Sequence, residues 1–139
     1  MSEPRYRYLK TRTERGVLIL TPTPSQLRGD EMAQQLTDDM LAAVEHADAK
    51  RVVVNLEHVD YLTSANFRPF LALRKKLPAG RRVVLCSLTK TAFEIFDTTK
   101  MVSSAGSASS DALFLAVPDE ESAVAAALND SGADDAPKS

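Results

Sequence analysis

The sequence predicts a single α/β domain, and three observations carry that prediction. Short apolar runs lack the polar alternation of a half-exposed strand. Segments of helical period separate those runs. The chain also has the size and composition of one soluble domain: 139 residues, 44% hydrophobic and 26% charged. A run that is apolar at every position suits a strand covered on both faces, and helices lying between such strands supply the cover.

The elements follow in order. Tyr6 to Thr11, "YRYLKT", alternates imperfectly and reads as an edge strand. Glu14-Arg15-Gly16 reads as a turn, and Val17 to Leu20, "VLIL", as a buried strand completing a hairpin. Thr21 to Gly29, "TPTPSQLRG", reads as a loop, because Pro22 and Pro24 remove backbone donors. From Asp30 to His46, Met32, Leu36, Met40 and Val44 recur every four residues. Gln34, Gln35, Asp38, Asp39 and Glu45 fall on the opposite, solvated side, and Asp30 and Glu31 suit the positive end of the helix dipole.

Arg51 to Leu56, "RVVVNL", reads as a central strand, and Glu57 to Leu62 as the loop after it. Phe67 to Leu77 has a helical apolar side of Phe67, Phe70, Leu71, Leu73 and Leu77. Arg68, Arg74, Lys75 and Lys76 lie mainly outside it. Pro69 locates the start. With Asn66 as N-cap, Pro69 takes the third helical position, where no donor is needed; a looser turn from Ser64 can precede it. Arg81 to Leu88 reads as another buried strand, and Thr89 to Thr98 as a helix with Ala92, Phe93 and Phe96 inward. Val102 to Asp111 reads as a serine-rich loop, Ala112 to Val117 as the last strand, and Asp119 to Leu128 as the last helix. The domain therefore spans residues 1–128, and 129–139, without a large apolar side chain, is expected to be a disordered tail. The order is β-β-α-β-α-β-α-β-α.

Composition narrows function. Seventeen basic and nineteen acidic residues give a net charge of −2, which argues against a nucleic-acid binder. Eight aromatic residues and no Trp argue against a base-stacking platform. No apolar run approaches the ~20 residues of a membrane span, and the N-terminus has no apolar signal segment, so a cytoplasmic chain with no membrane insertion is expected. Its single cysteine, Cys86, sits in a strand pattern and reads as an inert buried thiol. The five glycines form no phosphate loop, and His46 and His58 have no partner at metal spacing. No catalytic or metal-ligating constellation is visible and no cofactor is implied, so the chain is expected not to be an enzyme.

One motif remains. In "LTSAN", Leu62 to Asn66, two hydroxyls stand where a strand hands over to a helix. They satisfy helix-start donors, or something acts on them. In open α/β sheets, sites gather at such junctions, and free backbone N–H groups there favour an anion.

The segment "VVVNLEHVDYLTSANFRPFLALRKKL" resembles the central motif of STAS domains, best known as bacterial anti-sigma-factor antagonists. These have a buried strand, a short acidic loop, and a motif like D-S-[ST]-G-L opening a helix. "RRVVLCSLTKTAFEIFDTTKM" and "LFLAVPDEESAVAAAL" are similar to the strand–helix units that follow. The resemblance spans Tyr6 to Leu128. It implies a single STAS-like domain with a mixed sheet of four to five strands flanked by about four helices. It implies a non-enzymatic module that sequesters an ATP-using anti-sigma-factor kinase and is reset by a PP2C-type phosphatase. It places the phosphoacceptor on Ser64, with Thr63 as the neighbouring candidate, and the partner-binding face on Asp30, Thr63, Ser64, Asn66 and Arg68. The chain departs from the motif at Thr63 (aspartate in the family), Ala65 (a second hydroxyl) and Asn66 (glycine), and residues 102–111 resemble an insertion. The alternative within the same fold is a non-phosphorylated scaffold, as in a lipid-transport ABC complex or a signalling assembly.

Overall fold

The computed structural model describes residues 6–77, 83–98, 102–104 and 114–129. A hairpin opens the fold: β1 (Leu9–Glu14) and β2 (Val17–Pro22) pair antiparallel, with Glu14 opposite Val17. The two turn residues, Arg15 and Gly16, have φ of 53° and 81°. Left-handed torsions at both positions match the right-handed twist of the paired strands, and glycine meets the second without strain. The strand lies three residues later than "YRYLKT" suggests, because two turn residues set its register with β2. The other main strands are β4 (Val52–Asn55), β6 (Val83–Cys86), β7 (Val102–Ser104) and β8 (Phe114–Val117). They complete one sheet in the order β1-β2-β4-β6-β8-β7, parallel at every pairing except the hairpin.

The mixed sheet and four helices agree with the expected fold. Five of the strands are those anticipated. The sixth, β7, is a three-residue edge strand inside the stretch read as a serine-rich loop; one valine before two serines is too short to leave an apolar signature. Two further strands were hidden in loops for the same reason. β3 (Gln26–Leu27) and β5 (Tyr61–Leu62) form a separate two-residue parallel pair. The expected disordered tail is met only at its first residue, Asn129, which ends the last helix; 130–139 lie outside the described residues.

Apolar runs without alternation are explained by burial on both faces of the sheet. Leu18, Leu20, Val52, Val54, Val83 and Leu85 point to one side. There they meet Leu36, Met40 and Val44 of α1 (Asp30–Ala47), Phe70 and Leu73 of α2 (Arg68–Lys76), and Phe96 of α3 (Lys90–Thr98). Val17, Ile19, Val53, Val84 and Cys86 point to the other side, against Ala123, Val124 and Ala127 of α4 (Glu120–Asn129). Large side chains fill the first interface and alanines allow close approach in the second. Phe96 is fully buried, as anticipated; Phe93 packs only partly buried against the same core.

Asp39 departs from the expected solvated face. It is buried, and its carboxylate accepts the Arg7 and Tyr8 backbone N–H groups at 3.0 and 3.3 Å and the Gln35 amide at 2.8 Å. It thereby ties the chain entering β1 to the flank of α1, a use of aspartate that helical periodicity cannot reveal.

Candidate functional site

The site begins where β4 ends. After β4 the chain turns, adds β5 beside β3, and enters a 3₁₀ turn, Ser64–Phe67, that runs directly into α2. The looser first turn anticipated from Ser64 is thus present, but it runs through Asn66, so Phe67 rather than Asn66 caps α2 and Pro69 falls at the second position instead of the third, where its missing N–H still costs no helical bond. The first internal bond of the turn is Asn66 N–H to Thr63 carbonyl, 2.9 Å.

Three contacts hold this turn against the start of α1. The Thr63 N–H donates to the Leu27 carbonyl at 2.9 Å, extending the short β3–β5 pair. The Asn66 amide donates to the Gly29 carbonyl at 3.3 Å and to the Thr63 hydroxyl oxygen at 3.2 Å. The Arg68 guanidinium lies 3.7 Å from the Asp30 carboxylate. Gly29 caps α1 with φ 83° and ψ 156°, a region open essentially to glycine, while its carbonyl also accepts the Ala33 N–H at 3.1 Å. Below, Phe67 closes the turn onto an aromatic cluster. Its ring meets Phe96 edge-on at 5.1 Å, and Phe96 meets Phe70 and Phe114 at 5.4 and 6.1 Å. Such contacts hold the backbone of the turn while leaving its outer face free.

The five residues expected on one face are therefore neighbours, but not all are surface groups. Ser64, Asp30 and Arg68 are exposed, and Thr63 is half-buried. Asn66 is fully buried, so it cannot touch a partner; it ties the turn to α1. A glycine at this position would have no side-chain amide to reach Gly29. Its Oδ1 is buried without a hydrogen-bond partner among the described residues. Neither hydroxyl caps the helix as the simpler sequence reading expects. Thr63 occupies the cap position but makes no capping hydrogen bond; its hydroxyl lies 3.5 Å from the Leu27 carbonyl. The Ser64 hydroxyl makes no hydrogen bond with any described residue.

Sequence reasoning missed two residues beside this face. Tyr61 is the one large apolar side chain classed as exposed among the described residues, at 39%. The Arg28 guanidinium stands over its ring, 5.4 Å from the centroid. A tyrosine in a loop reading gave no sign of exposure; the β3–β5 pair, which brings residues 26–27 beside 61–62, does.

Elsewhere several polar groups are paired with one another. A groove of about 420 Å³ on the β1 side of the sheet is lined by Lys10, Thr11, Arg12, Thr21, Asn55, Glu57, His58 and Glu120. Within it Glu120 bonds Arg12 and Asn55, and His58 lies 3.3 Å from Glu57. Cys86 is buried, and desolvation pushes its thiol up to about 12, leaving it protonated at neutral pH. Among the described residues no group of three His, Cys, Asp or Glu side chains could hold a metal ion, and no helix is long and apolar enough to cross a membrane.

A mixed sheet opened by a hairpin, a 3₁₀ turn carrying an exposed serine after the central strand, and a final helix on the opposite face make up a STAS-like fold. Among solved structures the chain is similar to the anti-sigma factor antagonist SpoIIAA in its unphosphorylated form, with a TM-score of 0.50 and 15% identity over 64% of this chain and 81% of that one. At that identity the likeness is one of fold. No family model matches the sequence, and no curated protein matches it.

Proposed function

We propose that this chain is a non-enzymatic regulatory binding module, an anti-sigma-factor antagonist that captures an ATP-using anti-sigma-factor kinase in the cytoplasm and is switched by phosphorylation at Ser64. The observation that carries this reading is the uncommitted, exposed hydroxyl of Ser64 on an otherwise tightly held turn. Small hydroxyls at helix starts are normally occupied with capping. This one is left to solvent, while Asn66, Phe67 and the Thr63 backbone fix the turn that presents it.

The surrounding surface suits a protein partner. Tyr61 supplies an exposed aromatic face, Arg28 and Arg68 supply guanidinium groups, and Asp30 adds a carboxylate. Tyrosine and arginine are the residue types that concentrate binding energy at interfaces. A phosphoryl group on Ser64 adds about −1.5 to −2 charges on the turn beside these residues, so partner release by repulsion and desolvation follows. A PP2C-type phosphatase would restore the binding form.

The test is a titration calorimetry series with an anti-sigma-factor kinase of the same organism. Ser64→Ala should bind as the wild type does. Ser64→Glu should bind at least tenfold more weakly, a loss of about 1.4 kcal/mol. Arg28→Ala or Tyr61→Ala should also weaken binding. Equal affinity of all four variants with the wild type would place the interface elsewhere and remove the proposal.

A further inference from the structure

We propose that Arg68 is an internal receptor for a phosphoryl group on Ser64, leaving Asp30 to bind it, so that modification rewires the ion pairs of the site as well as adding charge. This inference rests on the reading of Ser64 as the modified residue, and it assigns to Arg68 a role that the sequence motif does not contain.

The geometry points to Arg68 in three ways. It opens α2 immediately after the 3₁₀ turn, four residues past Ser64, and helical side chains lean toward the N-terminus, so its long guanidinium arm can reach back toward a phosphate on Ser64. Its present partner is a poor one: the contact with Asp30 is 3.7 Å long, and the two side chains are 51% and 86% exposed. An exposed, single-contact pair of this kind is worth little and is readily exchanged. A phosphate, with three acceptor oxygens and up to two charges, is the stronger acceptor for a guanidinium and suits its two-pronged geometry.

The charge balance favours the exchange. The charged residues on the segments around Ser64 are Arg28, Asp30, Glu31, Asp60 and Arg68, two cations and three anions. Phosphorylation would take this set from −1 to about −2.5 to −3. Arg28 is already engaged over the Tyr61 ring, so Arg68 is the guanidinium with the least to lose. After the exchange Asp30 stands uncovered in the first turn of α1. A partner that had met a neutralised Arg68–Asp30 pair would meet a bare carboxylate and a phosphate.

The experiment uses the full chain with phosphoserine installed at position 64 during translation, so no kinase is involved. Titrating the phosphate by ³¹P NMR reports how strongly the dianion is held. In the otherwise wild-type protein the second ionisation should fall below the ~6 of free phosphoserine. Arg68→Gln should raise it by about half a pKa unit, roughly a threefold change in proton binding, as expected for an exposed ion pair strengthened by a phosphate acceptor. Arg28→Gln removes the same charge from the same surface and serves as the control for the general field; its effect should be clearly smaller. A titration unmoved by Arg68→Gln, or moved equally by both substitutions, overturns the assignment. Failure of a kinase to mark Ser64 in a separate labelling experiment would sink the switch without touching this result.

Discussion

Three strand-to-helix junctions of this protein each place a short polar side chain at the start of a helix, and they use it differently. Before α3, the Thr89 hydroxyl accepts the Ala92 N–H at 3.1 Å and donates to the Val59 carbonyl at 3.2 Å. Before α4, the Asp119 carboxylate accepts the Ser122 N–H at 2.7 Å. Before α2, the Ser64 hydroxyl does neither, and Thr63 at the cap position makes no capping bond. A junction whose polar side chain is committed to the backbone is finished as structure. The junction before α2 is held by other means, through Phe67 below and Asn66 beside it. The hydroxyl it leaves free is available to a partner or an enzyme.

Removing the support should break the comparison most severely. Phe96→Ala takes away the ring on which Phe67, Phe70 and Phe114 converge, and should cost about 3–5 kcal/mol in urea unfolding. A loss under 1 kcal/mol would mean that the turn before α2 does not depend on the cluster. Next comes a working cap: Thr89→Ala should cost ~1 kcal/mol, because it strands the Ala92 N–H.

Asp119 sharpens the contrast through pH. The Ser122 N–H holds its carboxyl below the ordinary aspartate range. A depressed folded pKa gives stability that is present above the unfolded value, near 4, and is lost as pH falls through the folded one. Asp119→Ala should therefore flatten the fall in stability between about pH 5 and pH 3, read from thermal midpoints. An unchanged slope would show that the cap does not form. Smallest of all, Ser64→Ala should leave stability within about 0.5 kcal/mol of wild type, as for any exposed group without partners. A loss as large as that of Thr89→Ala would make Ser64 a structural cap after all.

How much of this was legible in the sequence depends on length scale. α1, α2, α3 and the buried strands β2, β4, β6 and β8 were all readable, because four or more apolar residues at a fixed period leave a signature. β3 and β5 were not, since a two-residue pair has no period, and with them the neighbourhood of Arg28 and Tyr61 was lost. Pro69 alone placed the looser turn at Ser64 correctly, because its missing donor restricts where a helix can begin. The burial of Asn66 and Asp39 could not be foreseen: each is a polar residue on a segment with solvated neighbours, turned inward by backbone groups far away in sequence. The resemblance to STAS domains anticipated the fold, and it marked Ser64 among the chain's many hydroxyls. Composition and spacing left open whether that hydroxyl caps a helix; the geometry shows it uncommitted among the described residues.

The central claim is that the hydroxyl left free at this junction is the one that is modified. It is tested most directly by incubating the chain with ATP and an anti-sigma-factor kinase, then locating the added mass by peptide mass spectrometry. The account predicts a single phosphoryl group on Ser64, absent from Ser64→Ala, with Thr63 unmodified in both. Labelling of Thr63 that persists in Ser64→Ala would move the site to the half-buried hydroxyl. An unlabelled wild type that binds its partner equally well with Ser64→Glu would contradict the switch and leave a constitutive scaffold.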